Sequence, residues 1–472
     1  MVKGWQQGAC LSLLYYVLAV PAPVKADTFE AFGAGARSQG MASSVGADAK
    51  GPSAIYHNPA GLVMGGSVLS LGIYGTYDRT SVLLMERPDG YNPLAYETRL
   101  NERRDTPEYG SSGGLLLGGA VSLMKDKFTL GMILALPFGG LAKIDTHFDD
   151  EREQYFTNQL HFTRLGKNSR RESIGFGMAY RFRPWFSMGV GLMVMPEIKT
   201  VNHVYTPNAV QPELAYLNIA TNNGLREAVV LGLNIHPSPY VSVGVTVQDE
   251  IGLTLDGASE IQVSGTTDNA AVEQIINLTD GYHPPRVVLA LAGRLASGAV
   301  LNLETAWMGW TRFRDHHGIE ANFNDIFEFR GGVEFPLSEG SFVRFGGGWK
   351  PTPVPDQTGR TNYVDNDRFL LSAGSGQRFT WFGEAFQIDA AVQFHGLVPR
   401  TVHKSNLSGV ASPIACDDGV QVLCDEFPDP GAGATQVSRE QSAGFQTGNT
   451  GFPGFSHGGY LVHASLDLQW LF

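Results

Sequence analysis

Three things are scarce in this 472-residue chain: cysteine, with three residues; basic side chains, 34 against 46 acidic ones; and long apolar runs. Nothing after Asp27 approaches the roughly 18 uninterrupted apolar residues that suggest a membrane-crossing helix, which excludes a helical anchor. A net charge of −12 argues against a nucleic-acid partner, because phosphates require a basic footprint. Enzyme signatures are missing too. No glycine-rich stretch links a strand to a helix as a phosphate loop does, and no nucleophile constellation is visible. Asp315-His316-His317 has no further ligand partners at metal spacing. The expectation is a protein that is not an enzyme, with no cofactor and no metal.

Glycine is abundant: 58 of 472 residues, about 12% against roughly 7% in average usage. From Tyr460 to Phe472 every second residue is apolar (Tyr460, Val462, Ala464, Leu466, Leu468, Trp470, Phe472), with His463, Ser465, Asp467 and Gln469 between them. A period of two is an extended strand with one apolar and one polar face. An outer-membrane barrel turns such a strand's apolar face to lipid and its polar face to the lumen, with an aromatic at the interface. The N-terminus agrees with export. Lys3 precedes an apolar segment from Leu11 to Val20, and Val24-Lys25-Ala26 offers a small-residue cleavage site. Residues 1–26 therefore read as a signal peptide. Loss of Lys3 and Lys25 leaves 32 basic and 46 acidic residues, a net charge of −14. Cys416 and Cys424 then remain, and in an exported protein they predict one local disulfide, the alternative being two free loop thiols.

The alternation predicts 14 strands, near 66–80, 113–124, 127–138, 171–183, 185–198, 225–235, 240–250, 285–295, 299–312, 326–336, 341–350, 367–380, 383–396 and 459–472. Short turns (125–126, 183–184, 236–239, 296–298, 337–340) alternate with long connections, the asymmetry of a bacterial barrel with periplasmic turns and outer loops. The fold class is an all-β, 14-stranded antiparallel transmembrane barrel over 66–472, with both termini periplasmic in the outer membrane of a Gram-negative bacterium. Leu214, Leu217 and Ile219 in one long loop, and Val272, Ile275, Ile276 and Leu278 in another, have the spacing of short amphipathic helices. Their apolar faces either form a lid on each other or make a groove for a greasy ligand.

Residues 27–65 carry no strand pattern. They run Phe32-Gly33-Ala34-Gly35-Ala36-Arg37-Ser38-Gln39-Gly40-Met41-Ala42, and later Tyr56-His57-Asn58-Pro59-Ala60-Gly61-Leu62. Composition alone lets this segment hang in the periplasm or fold inside the lumen, which a barrel of this size leaves open. Its wording resembles the N-terminal hatch of FadL/TodX-like outer-membrane transport proteins. So do Leu136-Pro137-Phe138-Gly139-Gly140, Trp307-Met308-Gly309-Trp310-Thr311-Arg312-Phe313, and Trp349 to Pro355 followed by Asp365 to Arg368 and Leu371-Ser372-Ala373-Gly374. The resemblance implies a plug over 27–65 inside the barrel. It also implies passive uptake of long-chain fatty acids or other hydrophobic molecules: capture at outer loops, hatch movement, and lateral exit near the third strand. Sideways exit spares each methylene periplasmic water, at about 0.8 kcal/mol. Implied surroundings are outer-membrane lipid, lipopolysaccharide and the barrel-assembly machinery, with the protein a monomer.

Plug residues singled out are Gly33, Gly35, Arg37, Gly40, His57, Asn58, Pro59, Ala60 and Gly61; Asn58-Pro59 fixes a turn with either a structural or a gating role. Pro137 cannot donate to a ladder, and with Phe138, Gly139 and Gly140 it marks either a lateral gate or an ordinary strand end. Lumen-facing charges are Glu304, Glu328, Arg330, Glu334, Arg344, Asp389 and Arg294. They read first as a salt-bridged wall. Arg330 and Arg344 are the candidates for a substrate carboxylate, and Leu214, Leu217, Ile275 and Ile276 for its tail. Asp417, Asp418, Asp425 and Glu426 read as a solvated acidic loop. A different class stays open, a non-transporting scaffold that exports or assembles surface proteins. An apolar lumen site discriminates the two.

Overall fold

A computed structural model describes residues 28–85, 105–107, 111–124, 127–138, 160–165, 173–195, 198–207, 214–223, 225–263, 272–314, 320–358, 363–405, 451 and 453–472. Cys416, Cys424, Asp315 to His317, Gly139, Gly140 and the leader lie outside them. Fourteen strands close one barrel: β1 (Val68–Leu84), β2 (Ser112–Leu123), β3 (Phe128–Pro137), β4 (Ser173–Arg183), β5 (Phe186–Met195), β6 (Arg226–Ser238), β7 (Val241–Gln248), β8 (Arg286–Arg294), β9 (Val300–Met308), β10 (Ile326–Ser338), β11 (Ser341–Lys350), β12 (Arg368–Trp381), β13 (Glu384–His403) and β14 (Gly454–Leu471). Each pairs antiparallel with its neighbours, and β1 pairs with both β2 and β14 to complete the ring. At the seam the Phe472 amide donates to Ser67 O at 3.1 Å.

The strands sit where the period-two pattern puts them because each has two solvents to satisfy. On β10, Phe327, Phe329 and Phe335 face out while Glu328, Arg330 and Glu334 are buried inside. On β7 the valines lean outward, and Gly244, Thr246 and Gln248 line the interior. Aromatics crowd the rim with short turns: Phe182 with Tyr180 and Phe186, Trp381 with Phe382, Trp470 with Phe472. This is the aromatic girdle of a membrane interface. The β12–β13 turn has Phe382 at φ 51° and Gly383 at φ 82°, the double left-handed geometry whose twist suits a two-residue hairpin.

Several expectations are corrected. The segments expected to be amphipathic helices are strands, Leu214–Asn223 and Val272–His283, in a four-stranded sheet with Ile198–Pro207 and Ile251–Val263. Leu217 pairs with Val204 and Ile261, and Ile275 and Ile276 pair with Ala258 and Gly257. A three-to-four apolar spacing was outweighed by β-branched content and by cross-strand partners. The ninth strand stops at Met308 rather than 312. After Gly309 a short turn, Trp310–Arg312, folds Trp310 into a buried cluster with Phe313, Phe323 and Val354. Strands β13 and β14 rise past their expected limits, through a bulge between Leu397 and Arg400 that contains Pro399, which cannot donate. Arg294 is exposed at the rim, not buried in the lumen.

Inside the ring lies the plug: α1 (Thr28–Phe32), α2 (Ala36–Gln39), α3 (Ala54–His57) and a 3-10 segment, Pro59–Met64. Its apolar side chains, among them Phe29, Met41, Val45, Ile55 and Leu62, share one core with inward wall residues such as Ile133, Met193 and Val230.

Candidate functional site

The candidate site is the contact between plug and wall, where the N-terminal segment fills the interior that the strands enclose. Inward-facing glycines let the plug's backbone lie on the strands. A Cβ at Gly346 would stand 2.5 Å from Ala42 N, and one at Gly332 would stand 2.6 Å from Met41 Cβ; at Gly244 it would strike Gly46 O. Glycine weakens a strand interior, so its use here marks close backbone approach.

Polar contacts then fix the register. Asn58 accepts from Ala60 N–H at 3.1 Å, capping the 3-10 segment, and donates to Gly46 O at 2.7 Å and to Leu233 O of the wall at 2.9 Å. Pro59 is the first residue of that segment, where a missing N–H costs nothing. Ser187 Oγ donates to Ala60 O at 3.0 Å and Thr246 Oγ1 to His57 O at 2.9 Å. A Cβ on Gly61 would collide with Ala49 O. Gly33 and Gly35, at φ 82° and 84°, turn the chain between α1 and α2. There the Ala36 amide donates to Asp467 Oδ2 at 2.5 Å. Gly40 lies against the backbone of Gly374, and Ser372 Oγ donates to its carbonyl at 3.1 Å.

Charges form a second layer. In the half nearer the short turns, Arg37 spans Asp48 (2.5 Å) and Glu334 (3.1 Å), and Lys50 adds to Asp48 at 3.1 Å. Glu334 continues to Arg344 (2.6 Å), and Arg344 to Asp389 (2.7 Å). Arg330 pairs with Glu304 at 2.7 Å, and Glu304 accepts from Gly46 N–H at 3.0 Å. Both arginines singled out for a substrate carboxylate are thus buried in ion pairs within the wall, whose acids Glu334 and Glu304 also hold Arg37 and Gly46 of the plug. Arg286, which carried no sequence signal, donates to Tyr56 Oη and Tyr56 O at 2.9 and 3.0 Å.

Asp48 and His57 are among the plug groups that titrate far from their usual range. Burial alone would raise the Asp48 carboxyl, but Arg37 and Lys50 outweigh it and hold it at about 2. Burial pushes the His57 ring down to about 3, helped by Arg330 and Arg286, although the Ala34 carbonyl, 3.3 Å from Nε2, opposes the shift. Both are depressed, so acid opposes docking. His57 contributes fully above its free value of 6.5 and loses that contribution as pH falls toward 3. Asp48 contributes fully above 3.8 and loses it as pH falls through about 2. The expected result is a leak that begins in mild acid and steepens below about pH 4, measured as the conductance of bilayer-inserted protein between pH 7 and pH 3. Equal conductance at both ends would mean these groups do not hold the plug.

Toward the outer side two apolar clusters sit over this interface. One brings Ala31 and Phe32 of α1 together with Phe162, Leu165, Val364 and Phe455. The other stacks Phe313 on Phe323 with centroids 4.9 Å apart, beside Tyr282, Trp310 and Tyr363. Between plug and wall, Phe29, Tyr74, Leu116, Ala135 and Asp467 line a cavity of about 10 Å³. That is room for about one water, far below the roughly 300–1,000 Å³ of ligand pockets. The cavity borders β3. Pro137 pairs with Gly114, and Phe138, half exposed, donates its N–H to Gly113 O at 2.5 Å. On the β4 side the register ends at Ala135 opposite Ser173. Leu214, Leu217, Ile275 and Ile276 belong to the outer four-stranded sheet.

A closed antiparallel barrel with lipid-facing apolar strands and a folded N-terminal plug in its lumen defines a class, the plugged transport barrels of the Gram-negative outer membrane. Residues 17–409 match the family described as outer membrane protein transport protein (OMPP1/FadL/TodX). The chain belongs to that family, whose members are transport channels and not enzymes. Among solved structures it is similar to a Pseudomonas aeruginosa FadL homologue (14% identity over 95% of this chain and 98% of that one, TM-score 0.56). It is also similar to the Pseudomonas putida toluene transporter TodX (12%, 93% and 99%, TM-score 0.53) and the Ralstonia pickettii toluene transporter TbuX (13%, 94% and 100%, TM-score 0.51). At such identities the likeness is one of fold. No curated protein matches by sequence.

Proposed function

We propose that the protein carries long-chain fatty acids and other hydrophobic molecules inward across the outer membrane, passively, by outer capture, plug displacement and lateral exit beside β3. The observation that carries this reading is the continuity of the outer apolar cluster with the plug: Phe162, Leu165 and Phe455 pack on Phe32 of α1. A greasy solute entering that cluster competes directly for the contacts that seat the hatch. A water-filled pore offers such a solute nothing, and an apolar route offers about 25 cal/mol per Å². Aromatic hydrocarbons, the cargo printed in the names of the toluene transporters, fit the same surface. In this reading residues 1–26 are removed on export, 27–65 move, and 66–472 stay as the wall. The barrel-assembly machinery inserts the chain, which works as a monomer within lipopolysaccharide.

The exit is tested at Pro137. Pro137→Val returns a ladder donor and Gly139→Thr favours extended backbone. Cells expressing the double variant at normal surface level are expected to take up a labelled long-chain fatty acid several-fold more slowly. Unchanged uptake would place the exit elsewhere.

A further inference from the structure

Strands β13, β14, β1, β2 and β3 stand side by side, and their register aligns Asp389, Asp467, Gly72, Leu116 and Ala135. Asp467 lies toward the short-turn end of β14, and the line ends two residues short of Pro137. Asp389 and Asp467 are thus directly opposite each other, and both are buried, at 0% and 5% exposure. Like charges in that position oppose strand pairing. Asp389 is balanced by Arg344 at 2.7 Å. Asp467 has no ion pair among the described residues. Arg344 is shared with Glu334, and Arg37, the plug residue after Ala36, is engaged with Glu334 and Asp48. Asp467 Oδ2 accepts from the Ala36 amide at 2.5 Å, while its buried Oδ1 has no hydrogen-bond partner.

That free oxygen leans toward the exit. A Cβ on Gly72 would strike Asp467 Oδ1 and approach Leu116 Cβ, so the bare glycine lets the carboxyl cross β1 toward β2. There it meets the small cavity that Leu116 and Ala135 line, with Phe29, Gly33 and Gln39 of the plug closing the other side. Displacing the plug opens this space along β3. Tyr74 is the other ionisable residue of the lining. His463, further up β14, faces Thr76 and Phe32 instead. Toward the short turns, Gln387 and the half-buried Gln469 donate to Asp389 Oδ2 at 2.7 and 3.4 Å. These amides form a polar file from the acid pair to periplasmic water.

Resting on the transport reading above, we propose that Asp467 holds a proton while the plug is seated and passes it to the carboxylate of an amphiphilic substrate at β3, which then leaves sideways as the neutral acid. A buried carboxyl without a cation sheds its charge by keeping a proton. In the transfer the Asp467 O–H bond breaks and an O–H bond forms on the substrate, so the negative charge moves to Asp467. A carboxylate entering hydrocarbon is far more costly than its neutral acid. Of the two carboxyls only the substrate is free to leave. The ionised Asp467 then faces Asp389 again, and periplasmic water returns the proton. The substrate class this step serves is a carboxylic acid with an apolar chain, whereas neutral solutes bypass it.

The test follows uptake of a labelled long-chain fatty acid and of its methyl ester by cells bearing the full-length protein, and reads the acid-to-ester ratio. Asp467→Asn keeps an acceptor for the Ala36 amide but has no acidic proton. It is expected to lower the ratio about tenfold or more near neutral pH, as loss of a positioned proton donor does. The ratio should recover at about pH 5, where more of the substrate arrives with its own proton. Gly72→Ala, whose Cβ takes the place of Oδ1, should reproduce the loss with ester uptake unchanged. Heat-shifted gel mobility identifies the folded variants. An unchanged ratio in a folded variant, or equal losses of acid and ester, overturns the proton transfer and leaves transport standing. If the wild type admits neither probe faster than cells lacking the protein, both readings fall.

Discussion

Deleting residues 28–64 is expected to leave a folded barrel and turn it into an open pore, with planar-bilayer conductance rising roughly tenfold or more, because a fourteen-stranded ring encloses a lumen its own side chains do not fill. The wall does not need the plug for closure. Strand β1 pairs with β14 from Val68 to Leu84 and with β2 from Val68 to Thr76, all through backbone ladders. The plug instead supplies Phe29, Met41, Ile55 and Leu62 to the interior core, and its removal exchanges that core for water. A truncated barrel that conducts no more than the intact chain would show that the segment does not block the lumen.

The second large effect is expected from a change that leaves the plug sequence alone. Valine suits strands better than glycine does, so Gly244→Val and Gly346→Val should strengthen the ladders of β7 and β11. The same side chains would occupy the space of Gly46 O and of Ala42 N. Plug backbone cannot yield there without losing its contacts to Glu304 and Ser372, at 3.0 and 2.8 Å. The double variant is expected to fold and yet conduct nearly as well as the deletion, with limited proteolysis cutting within 28–64. A quiet, protease-resistant variant would contradict the close docking of plug on glycine.

These effects show what the sequence made legible. The strands were readable because lipid outside and polar lumen inside impose a period of two, as in Val241 to Val247 or Phe386 to Phe394. The plug was readable from its small residues and its family wording. The wall charges were readable as a paired set, and Glu304, Arg330, Glu334, Arg344 and Asp389 are paired. What escaped depends on contacts between remote parts of the chain. Ala36 meets Asp467 across 431 positions, and no local pattern announces it. Arg164 stood in a stretch read only as a long loop, and Glu30 gained meaning only beside His283. One missed signal was available. Glycines at inward strand positions, such as Gly189, Gly232, Gly244, Gly332 and Gly346, run against strand propensity and so mark the track on which the plug lies. The outer strands at 214–223 and 272–283 were misread because their apolar spacing fits a helix while their pairing partners lie elsewhere.

The central claim is passive uptake of hydrophobic solutes through a plugged wall. Its most direct measurement is the initial uptake rate of a labelled long-chain fatty acid, of toluene and of a hydrophilic disaccharide, in cells lacking the protein and in cells expressing it at the surface. The account predicts that expression raises uptake of the hydrophobic solutes and leaves the disaccharide unchanged. No gain for either hydrophobic solute, or an equal gain for the disaccharide, would contradict it.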